Sequence, residues 1–234
     1  MGPMHQPPEG FKLTAVSYLT LLLLAVLWPL SSFVFLGSQL DMLKEVANPV
    51  NEVYYPTMIV QLITLLLVFV ALRSERVNLA DIGMRGFSRW TILQAVAFVI
   101  AANLILSVLQ LALFAQSSGS FNEITGMIPQ TSFARWIWVI LCAIVAVSEE
   151  VTFRGYILTR ITRLSGGRVW VGVLAATIAF ASGHLYQGFG GLAIVAAYGL
   201  MFAGLYLYTG SLYPLIIAHF LQDVMVLLVP GLTR

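Results

Sequence analysis

Charge is what this chain lacks most. Lys, Arg, Asp and Glu make up only 9% of its 234 residues, against about 25% in an ordinary soluble domain. Conversely 59% of the residues are hydrophobic and the mean hydropathy is +0.92, which excludes a soluble enzyme and a disordered chain. Cysteine is nearly absent: Cys142 stands alone, so no intrachain disulfide and no cysteine-rich zinc pattern exist. The net charge of +2 offers no electrostatic attraction to a polyanion, which removes nucleic acid as a partner. Gly2 is followed by Pro3 and by Gln6, which rules out the myristoylation signal. Internal repeats and low-complexity tracts are missing as well. What is present is apolar sequence, in an amount that about seven spans of about 20 residues would consume. The length suits one membrane domain, 1–234, without a soluble second one.

Residues 1–11 are polar and rich in Pro and Gly and read as disordered. Apolar runs follow at 14–36, 54–72, 90–115, 136–158, 169–187, 191–209 and 211–229, each near or above the length that crosses about 30 Å at 1.5 Å per residue. The first is too long for a signal peptide and lacks a small-residue cleavage site, so it reads as a retained span. The expected fold is all-α: a polytopic membrane protein of about seven transmembrane helices, with six to eight as the range. Arg73, Arg76, Arg85 and Arg89 cluster in 73–89, and Arg160, Arg163 and Arg168 in 159–168. By contrast 37–53 has only Lys44 and 116–135 only Arg135. The excess of basic residues places the N-terminus and both Arg-rich loops in the cytoplasm. Trp90, Trp136 and Trp170 stand near span ends, as an interfacial belt does. Gly166, Gly167, Gly188, Gly190 and Gly191 read as turn residues.

Most charged residues fall in loops or tails. The exceptions are Glu149, Glu150 and Arg154 in the fourth span and Asp223 in the seventh, joined by His184 in the fifth and His219 in the seventh. A charge at mid-bilayer costs about 2.5–3.5 kcal/mol on insertion scales, so ionisable residues there point to function. Glu150 and Arg154 are i and i+4 on one helix face with Glu N-terminal, the favourable order for a pair. Glu149 lies about 140° from Arg154 around an α-helix and is left to face another helix. His219 and Asp223 share a face at i, i+4, as do Phe180 and His184, so an aromatic ring walls the histidine. Three helices thereby bring Glu150, His184, His219 and Asp223 to a similar depth, roughly 12–22 Å from the cytoplasmic helix ends.

Three motifs follow one another on separate spans within 136–229. Glu149-Glu150-Val151-Thr152-Phe153-Arg154 fits EExxxR, Phe180-Ala181-Ser182-Gly183-His184 fits FxxxH, and His219-Phe220-Leu221-Gln222-Asp223 fits HxxxN/D. In this order they resemble the CPBP family, the type II CAAX prenyl endopeptidases and bacteriocin-processing enzymes also called Abi proteins. The resemblance implies an intramembrane endopeptidase with a conical or bundled core and a polar cavity open to the cytoplasm. It implies that Glu149 activates the attacking water, that His184 assists, and that His219 with Asp223 stabilises the oxyanion. Glu150, Arg154 and Phe180 support the site. An ionised Asp can only accept a hydrogen bond, so Asp223 must be protonated, orient His219 or bind a metal. The implied substrate is a peptide or membrane protein in the lipid bilayer, prenylated CAAX tails being the class the family name suggests. The source membrane reads as a prokaryotic cytoplasmic membrane.

Other chemistries fit less well. Ser148 and Ser182 lack a G-x-S-x-G elbow, and Ser182 precedes His184 by two residues on the same helix. Two histidines with a carboxylate form a known zinc set, so a divalent metal held by Glu149, His184, His219 and Asp223 is the alternative to a metal-free site. No H-E-x-x-H is present and glutamate-activated water needs no ion, so the metal-free site is preferred. A proton-coupled transporter would use the same buried residues, though no repeat halves are visible. A scaffold or immunity protein of the same fold would act by binding alone. Cys142 reads as an apolar filler.

Overall fold

A computed structural model describes residues 12–114 and 127–228; the segment 1–11 and Arg234 lie outside the described residues. Eight helices and a short 3-10 helix (Leu79–Ile82) organise them: α1 (Ala15–Val34), α2 (Leu36–Lys44), α3 (Val50–Glu75), α4 (Arg89–Phe114), α5 (Ser132–Leu164), α6 (Val169–Ser182), α7 (Leu185–Thr209) and α8 (Tyr213–Leu228). No strand occurs among the described residues. The protein is an all-α polytopic membrane protein. α1, α3, α4, α5 and α7 are long and apolar enough to cross a membrane. Their outer faces carry exposed Leu, Ile, Val and Phe, the side chains that lipid solvates at no cost.

The seven apolar runs of the sequence all appear as helices, with two corrections. The run 169–187 is not a full-length helix: α6 stops at Ser182 after 14 residues, or about 21 Å. Gly183 closes it, and Gly188 then takes a left-handed φ of 69° that an L-residue resists. Among the described residues the last run likewise forms a helix shorter than a crossing, Tyr213–Leu228, whose final turn is 3-10. Gly190 and Gly191, expected in a turn, lie inside α7. Gly166 and Gly167 are turn residues with φ of 71° and 85°.

Polar ties show how the chain alternates. Thr14, the N-cap of α1, hydrogen-bonds Ser74 at 2.7 Å. Arg160 Nη2 meets Glu75 Oε2 at 2.6 Å. Ser211 donates to the Arg85 carbonyl at 2.6 Å, and Leu212 N–H to the Gly83 carbonyl at 2.7 Å. The start of α1, both Arg-rich loops and the α7–α8 turn therefore share one end of the bundle. At the other end Tyr54 OH donates to the Met127 carbonyl.

α5 is the axis. Half of its most apolar window is buried, against 17–22% for the other four long helices. Ser132–Glu149 is regular α-helix, capped by Thr131 accepting from Ala134 N–H. Glu150–Leu158 then winds as a π-helix and is buried at every residue. Such i→i+5 turns are uncommon and concentrate at functional sites. They rotate later residues relative to an α-helix, so the 140° computed for Glu149 and Arg154 on α-helical geometry does not describe this segment. Bundle packing in lipid depends on close contact of small residues, and α6 supplies buried Ala176, Ala179 and Ala181. At Gly172 a Cβ would stand 2.2 Å from Thr162 Oγ1 and 2.4 Å from the Leu158 carbonyl oxygen, so glycine sets the α5–α6 distance.

The census of charges also needs correction. Glu75 and Arg160, read as solvated loop residues, lie within α3 and α5 and are buried. Both helices continue past their apolar runs. The ion pair, joined by Tyr156 OH on Glu75 Oε1 at 3.3 Å, makes that continuation tolerable.

Candidate active site

The two adjacent glutamates stand one residue step, about 100°, apart around α5 and meet different partners. Glu150, fully buried, points to the bundle interior. Its Oε1 accepts from Arg154 Nη1 at 2.8 Å and faces His219 Nδ1 at 2.8 Å. A carboxylate only accepts, so the Nδ1 proton lies toward Glu150. Glu149 turns toward α3, where Gln61 Nε2 donates to its Oε1 at 2.9 Å. Its other oxygen, Oε2, is buried without a hydrogen-bond partner among the described residues and stands 3.7 Å from His219 Nε2. Asp223 Oδ2, one turn further along α8, lies 3.6 Å from the same nitrogen. Both separations suit an ion pair and exceed a hydrogen bond.

Arg154 is held on every side. Its guanidinium carbon lies 4.4 Å from the centre of the Phe180 ring and 5.2 Å from that of Phe202, the cation–π placement that offsets desolvation. Nη2 donates to the Gly199 carbonyl at 3.3 Å. A Cβ on Gly199 would meet Thr177 Cγ2 at 3.0 Å, so a larger residue would push α7 and its carbonyl away. Phe202 stacks on His219 with centroids 5.4 Å apart and planes at 29°, while Phe180 meets His219 edge-on at 6.1 Å. The imidazole is clamped by two rings and three carboxylates.

His184 reaches the cluster by a different route. It sits just past the end of α6, in the turn to α7. Its Nδ1 stands 3.2 Å from the Phe180 carbonyl, the distance of an Nδ1–H donor, which leaves Nε2 as the free nitrogen. The ring lies 5.3 Å from Phe180 and 6.2 Å from Tyr186. Phe180 therefore touches both histidines and the arginine and is the wall between them.

The six ionisable residues singled out in the sequence thus gather around one aromatic pair. Sequence reasoning missed the residues that α3, α4 and α7 contribute. Gln61 interrupts the otherwise apolar Met58–Leu67 run apart from Thr64, and that interruption was the available signal. Asn103 on α4 is another, donating to Gln222 Oε1 at 2.7 Å beside Asp223. Phe202 and Gly199 have no signal in an apolar helix. Ser148 and Ser182 donate to the Gln61 and Ala179 carbonyls at 2.9 and 2.7 Å, and so serve helix contacts. Cys142 is buried and free. Among the described residues, no group of three or more His, Cys, Asp or Glu side chains is arranged to hold a metal ion. His219 Nδ1 is already engaged by Glu150, which leaves that nitrogen unsuited to a metal.

Residues 131–225, less than half of the chain and spanning α5 to α8, match the family model described as type II CAAX prenyl endopeptidase Rce1-like. The match supports a peptidase of the intramembrane CAAX type. No curated protein and no solved structure matches the chain.

Proposed function

We propose that this integral membrane protein hydrolyses a peptide bond with a water activated by Glu149, in a site reached from the cytoplasm, without a metal. The observation that carries the proposal is the state of the Glu149 carboxylate. One oxygen is anchored, and the other is buried with no donor among the described residues, 3.7 Å from His219 Nε2. A buried acceptor left unmet costs about 1–3 kcal/mol, more when charged; Glu150 Oε2 is unmet as well among the described residues, so what sets Glu149 apart is that its free oxygen is directed at His219 Nε2 while its other oxygen is held by Gln61.

In this reading Glu149 Oε2 takes a proton from water as the water oxygen bonds to the scissile carbonyl carbon. The carbonyl electron pair moves to its oxygen, and His219 Nε2–H donates to that oxyanion. The Nδ1 proton is committed to Glu150, so this donation uses the imidazolium, whose charge faces Glu149, Glu150 and Asp223. Collapse restores the carbonyl and breaks the C–N bond, and the departing nitrogen takes the proton from Glu149. His184 assists water activation through Nε2. Asp223, an acceptor, orients His219 rather than holding the oxyanion. Glu150, Arg154 and Phe180 fix the imidazole. A general base of this kind typically contributes 10²–10⁴-fold.

The substrate is a peptide or membrane protein presented from the bilayer, with prenylated CAAX tails as the class to try first. A prokaryotic cytoplasmic membrane with the N-terminus inside is supported by the excess of arginine at one end of the bundle. The test is mass spectrometry of new peptide termini in bacterial membranes carrying wild type, Glu149→Gln or His184→Ala at equal expression, with a chelator arm for wild type. Termini that vanish in both variants and survive the chelator are expected. Their persistence in Glu149→Gln removes the mechanism, their loss with chelator removes the metal-free assignment, and no wild-type termini favours a scaffold.

A further inference from the structure

Gln61 lies outside the three motifs and outside the matched residues 131–225, yet it makes the only side-chain hydrogen bond to Glu149 among the described residues. We infer that Gln61 is a positioning residue for the Glu149 carboxylate, an inference that rests on the peptidase reading above.

The argument is geometric. α3 and α5 are tied by two bonds that converge on Gln61. Ser148 Oγ donates to its main-chain carbonyl at 2.9 Å, and its side-chain Nε2 donates to Glu149 Oε1 at 2.9 Å. The first is a helix-to-helix contact through the main chain, and only the second bears on the rotation of the carboxylate. A carboxylate that engages one donor through Oε1 presents Oε2 in a set direction, and that direction here is toward His219 Nε2. Without the amide the group is free to rotate and to offer either oxygen to His219. Glu149 then loses the separation of duties between an anchored oxygen and a reactive one. A base must sit within hydrogen-bond reach of its proton, and small misplacements are costly in rate. An interhelical bond that serves only as glue adds little in a membrane and has no reason to affect turnover.

The test uses the full-length chain in proteoliposomes with a fluorogenic, farnesylated CAAX peptide. Gln61→Met keeps the side-chain volume but removes the donor, and Gln61→Asn keeps the donor but falls a methylene short. Ser148→Ala cuts the bond to the Gln61 carbonyl and leaves the Glu149 bond in place. Loss of a hydrogen bond to a charged group predicts a kcat reduced about 10- to 100-fold in both Gln61 variants, with KM changed less than about twofold. Ser148→Ala is expected to lower thermal stability slightly while kcat stays within about twofold of wild type. If Gln61→Met does not fold, Gln61→Asn carries the same expectation. Wild-type kcat in a folded Gln61 variant, or an equal kcat loss in Ser148→Ala, overturns the positioning role alone. A wild type that cleaves neither this peptide nor any protein of the membrane overturns the peptidase reading and the role with it.

Discussion

Arg154 is the residue whose removal the bundle should tolerate least. It is 1% exposed, and its partner Glu150 is fully buried. Arg154→Met keeps an apolar stem of similar length but takes away the cation that faces Glu150 Oε1, the donor to Gly199 and the charge over Phe180 and Phe202. Glu150 is then left with His219 Nδ1 at 2.8 Å. Breaking a buried pair by removing one partner costs about 3–5 kcal/mol. In a chain of this size that corresponds to a fall in melting temperature of about 6–20 °C. Arg154→Lys should not restore it, because an ammonium cannot span Glu150 and the Gly199 carbonyl as the planar fork does. The double variant Glu150→Gln/Arg154→Met removes both charges and should recover most of the loss. The assay is built into the protein. Cys142 is buried and is the sole cysteine, so a thiol-reactive dye reports the unfolding of α5 in detergent directly. A melting temperature within 2 °C of wild type for Arg154→Met, at about 2–4 °C per kcal/mol, would refute the reasoning. So would a double variant no more stable than the single one.

Two further predictions concern the frame around the site. Gly172→Ala drives a methyl group to within 2.4 Å of the Leu158 carbonyl oxygen; backbone must move, and a loss of about 1–3 kcal/mol is expected, read as an earlier dye transition. An unchanged transition would show that α5 and α6 are not set by this contact. Arg160→Met leaves Glu75 facing the Tyr156 hydroxyl at 3.3 Å without its cation and should cost about 3–5 kcal/mol. Arg160 lies about 15 Å along α5 from Glu149, so turnover per folded molecule should not change, and a stable variant with impaired kcat would contradict this separation.

The membrane class and the helical segments were legible because hydropathy is a property of consecutive residues. Six ionisable residues stood out for the same reason, each being costly in an apolar run. The limits of that reading are specific. Glu75 and Arg160 looked solvated because they follow apolar runs, and only the packing of α3 on α5 shows them buried together. Spacing pointed Glu149 at another helix, which it does face, but could not identify Gln61 of α3 as what it meets. Glu150 and Arg154 were paired correctly by spacing, yet the histidine on the same carboxylate oxygen comes from α8, 69 residues away in sequence.

The sequence by itself determined that the chain lives in a membrane, that its apolar helices alternate across the bundle, and which residues are too expensive there to be incidental. Composition, periodicity and the transfer cost of a charge settle those matters locally. Tertiary structure alone decided which carboxylate oxygen meets which donor. That depends on how each helix is rotated about its axis, on the π-winding of α5 that follows Glu149, and on the glycines that set how near the helices come. A change of about 100° in one helix's rotation, a single residue step, would exchange the two glutamates and leave every sequence motif intact.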